Sequence, residues 1–221
     1  MTYFFYNKKG GARVRREDLK LYLVTDRSWV GEMTLESQIE EAIKGGVTIV
    51  QLREKNIDEK KFLKLALNIK LITDKYNVKL IINDNVEVAK EIDADGVHLG
   101  QGDMDILEAR RILGDEKIIG ISTKTMEQAL DAEKKGADYL GVGAVFSTST
   151  KLDAKSIDSE VFKNIYETIK IPIVAIGGIS LENISLLRNT KISGVAVVSG
   201  ILAQKDIKKA AMNLREEVEK I

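Results

Sequence analysis

The 221-residue sequence has no cysteine, one proline and one histidine, and it has no excess of either charge. Without cysteine the chain can form neither a disulfide framework nor a thiolate metal site or nucleophile. Its 34 lysines and arginines are matched by 34 aspartates and glutamates, so it lacks the basic excess typical of nucleic-acid binding. No apolar run approaches the roughly 20 residues that cross a bilayer. We therefore expect a cytoplasmic protein that binds neither nucleic acid nor membranes.

From about residue 19 onward, short apolar runs alternate with amphipathic helical runs. Several of the short runs are almost continuously apolar, as expected of strands that are buried on both faces of a parallel sheet. The predicted strands are Lys20–Thr25, Val47–Arg53, Val78–Asn83, Gly96–Gly100, Ile118–Ser122, Tyr139–Phe146, Ile171–Ile176 and Gly194–Ser199.

Eight strand–helix units with no stretch left over would fit either a closed barrel or a doubly wound sheet. A dinucleotide-binding sheet would carry a Gly-x-Gly-x-x-Gly motif after its first strand. The loop here, Thr25-Asp26-Arg27, has no glycine. We therefore predict an α/β fold, a TIM (β/α)₈ barrel, as a single domain over residues 19–221. Residues 1–18 are predicted to be an N-terminal extension that caps the barrel or trails from it.

The second predicted strand becomes polar towards its carboxyl end. Because side chains alternate across a strand, Gln51 and Arg53 share one face, and Lys55 follows with the same parity. An amide, a guanidinium and an ammonium at the mouth of a barrel would suit a highly charged anion, since arginine binds phosphate oxygens through two parallel hydrogen bonds. A surface salt-bridge patch with Glu54 explains the same residues equally well, so both interpretations stay open.

Two aspartates, Asp84 and Asp103, follow the third and fourth predicted strands, so both should lie at the same rim of the barrel. Two carboxylates beside a phosphate ligand suit Mg²⁺, which takes a few protein oxygens and leaves its other positions to substrate and water. Alternatively, each aspartate caps the next helix, and Glu87 three residues after Asp84 fits a capping box. The pattern alone favours capping, although the two roles are compatible.

Three further features are less specific. His98, the only histidine, lies in mid-strand, where a hydrogen-bonded core residue is a commoner explanation than a catalytic base. The small residues of the sixth strand lead into the hydroxyl-rich run Thr148–Lys151, which offers neutral donors and one cation. Glycines follow the seventh and eighth strands at Gly177, Gly178 and Gly200. These glycines are typical of a monophosphate pocket in this fold, or of ordinary turns.

Taken together and in order, these segments resemble the thiamine phosphate synthase family. The matching segments are Leu21–Asp26, Gln51–Lys55, Ile82–Asp84, Gly96–Gln101, Gly120–Ser122, Thr148–Lys151 and Ile176–Ile179. The resemblance implies a transferase that joins 4-amino-5-hydroxymethyl-2-methylpyrimidine diphosphate to 4-methyl-5-(2-hydroxyethyl)thiazole phosphate. Its products would be thiamine phosphate and pyrophosphate, and its cofactor Mg²⁺.

By position, the resemblance also implies which residues bind each ligand. The pyrimidine diphosphate would be held by Gln51, Leu52, Arg53, Glu54, Lys55, Asn83, Ser122 and Lys151, and the catalytic residues among these would be Arg53, Lys55, Ser122 and Lys151. The thiazole phosphate would be held by Thr148, Ser149, Thr150, Gly178, Val198 and Ser199. Asp84 and Asp103 would bind the metal. In one departure, Gly102 stands where the family usually has an acidic residue beside the second aspartate.

Two other functions remain as alternatives. A thiazole tautomerase-like barrel would bind only a monophosphate and would use an acid–base residue such as His98. The set of Gln51, Arg53 and Lys55 with two aspartates argues against it, because a tautomerase has no diphosphate to hold. A non-catalytic barrel that binds a phosphate ligand would need an output module, and nothing in the sequence resembles one. A homo-oligomer is compatible with the sequence, which does not determine the oligomeric state.

Overall fold

The computed structural model describes residues 13–55, 57–147 and 156–221. Within them, parallel strands pair in chain order and close into a barrel when β8 pairs with β1. The strands are β1 Leu21–Val24, β2 Ile49–Leu52, β3 Lys79–Asn83, β4 Gly96–Leu99, β5 Ile118–Thr123, β6 Tyr139–Gly143, β7 Ile173–Ile176 and β8 Gly194–Val197. The predicted single-domain (β/α)₈ barrel is confirmed.

Helices surround the barrel. They are α1 Leu35–Lys44, α2 Glu59–Lys75, α3 Val86–Glu91, α4 Ile106–Leu113, α5 Met126–Lys134, α6 Ser159–Thr168, α7 Ser199–Leu202 and α8 Ile207–Val218. Short 3₁₀ helices cover Arg16–Leu19, Arg27–Trp29 and Ile184–Leu187. None of the helices in the described ranges is long and apolar enough to cross a membrane.

The prediction of an α-helix after every strand is wrong between β7 and β8, where the chain forms only the 3₁₀ helix Ile184–Leu187. Local hydrogen bonds compete with an α-helix here, because the Asn183 side chain accepts from the Ser180 amide and donates to the Gly178 carbonyl oxygen. Asn189, just beyond the 3₁₀ helix, has a φ of 66°, which no right-handed helix allows.

Apolar side chains form two layers on either side of the sheet. Outward-facing strand residues such as Leu23 and Leu52 pack against the helices. Inward-facing residues such as Tyr22, Ile49 and Tyr139 fill the barrel. Because faces alternate along each strand, the inward face of β2 continues from Ile49 to the polar end predicted from the sequence.

Residues 13–19 close the end of the barrel at which the strands begin. Val14 and Leu19 are buried in the interior cluster. The Leu19 carbonyl oxygen would lie 1.9 Å from a Cβ at Gly194, so only glycine allows this close approach. Arg13 forms an ion pair with Asp138 at 2.7 Å. The described part of the predicted extension therefore caps the barrel, and residues 1–12 lie outside the described ranges.

Candidate active site

The carboxyl ends of the strands surround a cavity of about 530 Å³, a size typical of small-molecule sites. The predicted site residues that line it are Gln51, Arg53, Lys55, Asn83, Asp84, Asp103, Ser122, Gly178, Val198 and Ser199. They come from six different strand ends, as expected for an active site of this fold. The structure thus brings together most of the site residues that were predicted from the sequence.

Two predicted residues do not line the cavity. Leu52 is fully buried between the sheet and the helices. Glu54 turns away, and its side chain, 1% exposed, forms an ion pair with Arg27 at 2.6 Å. The alternative of a surface patch in which Glu54 pairs with its sequence neighbours is therefore wrong. Four more predicted residues, Thr148, Ser149, Thr150 and Lys151, lie outside the described ranges.

Arg53 is held at the cavity wall by β1 and the loop after it. Its Nη1 lies 3.1 Å from Asp26 Oδ2, and the other Asp26 oxygen accepts from the Ser28 amide at 2.9 Å. The Arg53 amide donates to the Thr25 hydroxyl at 2.9 Å. A guanidinium has five N–H donors, so this single ion pair orients it and still leaves donors for an anion in the cavity.

Neither Asp84 nor Asp103 caps a helix, so the capping interpretation favoured by the sequence is wrong. The cap of α3 is Asn85, whose side chain accepts from the Val88 amide at 2.8 Å. The cap of α4 is Asp105. Asp103 instead accepts from the Gly100 amide at 2.7 Å, which leaves the carboxylate at the rim.

The two rim carboxylates influence each other's ionisation, and their pKa values move apart. Burial opposes ionisation of Asp84, but the hydrogen bond from Lys55, at 2.9 Å, and the interaction with Asp103 hold its pKa below the ordinary value. Burial and the interaction with Asp84 raise the pKa of Asp103. Two like charges this close favour either a shared proton or a bound cation.

Two carboxylates suit Mg²⁺, which needs few protein ligands, better than a metal that is bound by protein side chains alone. In the described part of the chain, no group of three or more His, Cys, Asp or Glu residues could hold a metal ion. A cation between Asp84 and Asp103 would therefore take its remaining oxygens from substrate and water, as Mg²⁺ does. The backbone of Asp84 has a φ of 62°. Non-glycine residues rarely adopt this conformation, and it is often found at functional sites.

His98 is buried and hydrogen-bonded, as the sequence predicted. Its Nδ1 lies 2.9 Å from the Tyr139 hydroxyl and its Nε2 lies 2.8 Å from the Ser122 hydroxyl. The imidazole also lines the cavity, although only 6% of the residue is exposed. It therefore connects the barrel interior to a predicted substrate-binding residue.

Glycine turns form the opposite side of the cavity, after β7 and β8. Gly177 and Gly178 have φ values of 101° and 63°. A Cβ at Gly178 would lie 2.2 Å from the Ser147 carbonyl oxygen, so a side chain is excluded by both conformation and space. Val198 and Ser199 lie at the start of α7 beside this turn. Backbone amides can thus approach an anion closely here.

Sequence reasoning missed four polar residues of the cavity wall, which are Gln101, Thr123, Lys124 and Gln128. Gln101 donates to the Ser122 carbonyl oxygen at 2.8 Å, and the Gln128 side chain accepts from the Lys124 amide at 2.8 Å. Lys124 directly follows the last residue of β5. The strand-end rule that selected Asp84 would have found it too.

Three comparisons relate the chain to known proteins. The family model described as Thiamine monophosphate synthase matches residues 21–201. The thiamine-phosphate synthase of Ruminiclostridium cellulolyticum is 52% identical over 199 residues, which cover 90% of this chain and 95% of that one. The thiamine-phosphate synthase of Clostridium acetobutylicum is 50% identical over 207 residues, 94% and 98% of the two chains. The solved thiamine phosphate pyrophosphorylase of Pyrococcus furiosus has a TM-score of 0.85 at 41% identity, with coverage of 92% and 97%.

Proposed function

We propose that the cavity of this chain, which belongs to the thiamine monophosphate synthase family and forms thiamine phosphate, binds the pyrimidine diphosphate at the ends of β2 to β5 and the thiazole phosphate at the ends of β7 and β8. The family membership confirms the resemblance seen in the sequence. The observation that carries this proposal is the arrangement of the cavity wall. Cations and paired carboxylates line one side, and glycine turns line the other.

On the first side, Arg53 and Lys55 bind the diphosphate oxygens, with Asn83 and Ser122 as neutral donors. Asp84 and Asp103 would hold a Mg²⁺ ion, which would supply positive charge beside the diphosphate oxygens. Lys55 also contacts Asp84 at 2.9 Å, so in this proposal one ammonium would contact both a metal-binding carboxylate and the diphosphate. Lys151, which lies outside the described ranges, is part of this proposal by resemblance only, as are contacts from Leu52 and Glu54.

The reaction needs charge stabilisation more than acid–base chemistry. The bond between the pyrimidine's methylene carbon and the diphosphate oxygen breaks, and its electron pair leaves with pyrophosphate. The electron-rich aminopyrimidine carries the resulting positive charge until the thiazole nitrogen donates its lone pair to the same carbon. No proton has to move. Fixed cations such as Arg53 and Lys55, aimed at the departing oxygens, lower the barrier because they need not reorganise.

On the second side, the proposal assigns the thiazole phosphate to the backbone of Gly178 and Val198 and to Ser199. Thr148, Ser149 and Thr150 complete this set by resemblance. Anchoring the phosphate fixes the thiazole ring relative to the methylene carbon, which turns a bimolecular encounter into a positioned one.

His98 does not fit the acid–base role that a tautomerase-like reaction would require. Both of its ring nitrogens have protein hydrogen-bond partners, Tyr139 and Ser122. A monophosphate-only site would also leave Asp84 and Asp103 facing each other with no ligand that recruits a cation. Neither alternative function is favoured by an observation in the described residues.

The decisive experiment incubates the purified protein with both substrates and Mg²⁺ and detects thiamine phosphate as fluorescent thiochrome. We expect product with Mg²⁺ and a loss of product when a chelator removes it. Arg53→Gln should abolish most turnover, whereas Arg188→Gln, which removes an exposed ion pair with Glu217, should not change it. Folded wild-type protein that forms no thiamine phosphate would refute the proposal.

A cytoplasmic location is part of the same proposal. Both substrates carry phosphate groups, whose charge prevents unaided passage through a bilayer. An enzyme that uses two such molecules works in the compartment that makes them. Cell fractionation with detection of the protein in the cytosolic fraction tests this; recovery from any other fraction would contradict it.

A further inference from the structure

A continuous chain of hydrogen bonds crosses the barrel interior beneath the cavity. Gln51 Nε2 lies 2.9 Å from the Tyr22 hydroxyl, and the Tyr22 and Tyr139 hydroxyls are 2.7 Å apart. From Tyr139 the chain continues through His98 to Ser122. These five residues, which we call the relay, join β2 to β5. The relay begins and ends at cavity residues, and its three middle members are buried.

Two glycines, Gly120 on β5 and Gly141 on β6, make room for the relay. Gly120 is the strand partner of both His98 and Tyr139. A Cβ at Gly120 would lie 2.1 Å from Tyr139 Cζ, and one at Gly141 would lie 3.0 Å from His98 Cε1. A barrel interior is ordinarily filled by bulky apolar residues. The glycines therefore have a specific consequence, because they let Tyr139 reach His98.

The orientation of the Gln51 amide determines which group donates and which accepts in every hydrogen bond of the relay. An amide nitrogen only donates, so the Tyr22 oxygen accepts there and gives its single proton to Tyr139. Tyr139 in turn donates to His98 Nδ1. A neutral imidazole with an accepting Nδ1 carries its proton on Nε2, so His98 donates to the Ser122 oxygen.

We infer that Tyr22, Tyr139 and His98 are positioning residues that fix the polarity of both cavity ends, an inference that rests on the proposed function. At one end, Gln51 presents its carbonyl oxygen to the ligand, because its nitrogen is bound to Tyr22. At the other end, Ser122 keeps its own proton for donation to the ligand, because His98 occupies a lone pair of its oxygen.

This polarity selects the chemistry of the pyrimidine. A carbonyl oxygen at Gln51 accepts a hydrogen bond from the amino group of the aminopyrimidine and repels an oxo group at the same position. If the relay ran in reverse, Gln51 would present its NH₂ group and the preference would invert. The buried hydroxyls therefore determine specificity without touching the substrate, since an unpaired polar group opposite the wrong ligand is strongly unfavourable.

The direction of the relay can be read from one side chain. His98 is the only histidine in the chain, so nitrogen NMR of protein containing isotope-labelled histidine reports a single imidazole. We expect the neutral ring to carry its proton on Nε2. A proton on Nδ1 would overturn the inference, because Tyr139 would then have to accept from the imidazole.

Two tyrosine variants separate the ends of the relay. Tyr139→Phe removes the donor to His98 and should shift the tautomer, while lowering kcat/KM for the pyrimidine diphosphate about tenfold, the effect of one lost hydrogen bond. Tyr22→Phe leaves the Tyr139–His98–Ser122 part intact. It should leave the His98 spectrum unchanged but reduce the preference for the amino over the oxo pyrimidine about tenfold. KM for the thiazole phosphate should change less than about twofold in both variants.

Tyr166→Phe on α6 is the matched control, because it removes a tyrosine hydroxyl outside the barrel interior; neither the spectrum nor the kinetics should change. Unchanged kinetics in both relay variants would refute the positioning role. If Tyr139→Phe fails to fold, the wild-type tautomer and Tyr22→Phe still decide the question. Wild-type protein without synthase activity would refute the proposed function, whereas an active wild type with an Nδ1 proton would refute the relay alone.

Discussion

Each end of the barrel has an aspartate that pairs with basic side chains, but the two aspartates differ in their exposure and in the number of their partners. Where the strands begin, Asp138 is 4% exposed and binds Arg13 and Arg110, each at 2.7 Å. It also accepts from the Ile119 amide at 2.8 Å. Where the strands end, Asp84 is 33% exposed and has one cationic partner, Lys55, which is itself 55% exposed.

The contrast separates a structural carboxylate from one suited to ligand binding. The partners of Asp138 are all protein groups, so the site is complete without a ligand. Asp84 has a φ of 62°, and its ionisation is linked to that of another carboxylate, Asp103. The proximity of two like charges is unfavourable in the empty site and is relieved when a cation binds. Unusual backbone conformations and perturbed carboxyl pKa values are both common at functional sites.

The largest expected effect is on turnover at the strand-end site. Asp84→Asn and Asp103→Asn should each lower kcat by about 10²- to 10³-fold, comparable to the loss of one charge-stabilising group in other enzymes. Stability should change little, because Asp103→Asn removes like-charge repulsion and Asp84→Asn loses only a partly exposed ion pair with Lys55. Steady-state kinetics at saturating substrates and urea unfolding measure the two quantities.

Asp105→Asn is the matched control for this prediction. Asp105 lies two residues after Asp103 and caps α4 by accepting from the Leu107 amide at 2.9 Å. Asparagine is also a good cap, so both turnover and stability should stay close to wild type. Full turnover in Asp84→Asn would mean that the paired carboxylates do not hold the cation.

The second expected effect is on stability at the opposite end. Asp138→Asn removes the charge that pairs with two largely buried arginines. It should lower the free energy of unfolding by about 3 kcal/mol. This is the low end of the range for breaking a buried ion pair, because the arginines keep some contact with solvent. Urea unfolding measures it. The kcat of the folded fraction at low temperature should stay unchanged; a selective loss of kcat would show that the two ends are coupled.

The sequence predicted the barrel and most of the cavity wall, because strand parity and strand ends are local features. It did not predict which of two adjacent residues caps α3. Asp84 and Asn85 are equally good caps, and the choice depends on the Asp84 amide binding the His98 carbonyl oxygen on another strand. The partner of Glu54 is Arg27, which is distant in sequence. The relay depends on the pairing of Gly120 with Tyr139 across two strands, so it could not be predicted from the sequence either.

A third expected effect concerns pH and the strand-end carboxylates. The raised pKa of Asp103 means that this carboxyl takes up a proton at a higher pH than usual, and the proton competes with Mg²⁺. As pH falls through this pKa, the Mg²⁺ concentration for half-maximal activity should rise by up to about tenfold per pH unit. Activity titrations with Mg²⁺ at several pH values test this.

The pH control is the KM of the thiazole phosphate, whose assigned site contains no carboxylate. The phosphate itself titrates near neutral pH, so the comparison is made over the acidic range where its charge is constant. A Mg²⁺ requirement that does not change as pH falls would show that Asp103 stays ionised without the metal, contrary to its raised pKa.

The smallest expected effect tests where the structural domain begins. Arg13→Ala leaves Asp138 bound to Arg110 and to the Ile119 amide, so it should lower the free energy of unfolding by about 1 kcal/mol, less than Asp138→Asn. The control is Arg15→Ala, whose ion pair with Asp18 is largely solvent-exposed on the arginine side and should have no measurable effect. If Arg13→Ala were as neutral as this control, the ion pair between Arg13 and Asp138 would add nothing measurable to stability. A measurable loss would instead show that the structural domain includes Arg13, since this residue completes the ion-pair site at the end where the strands begin.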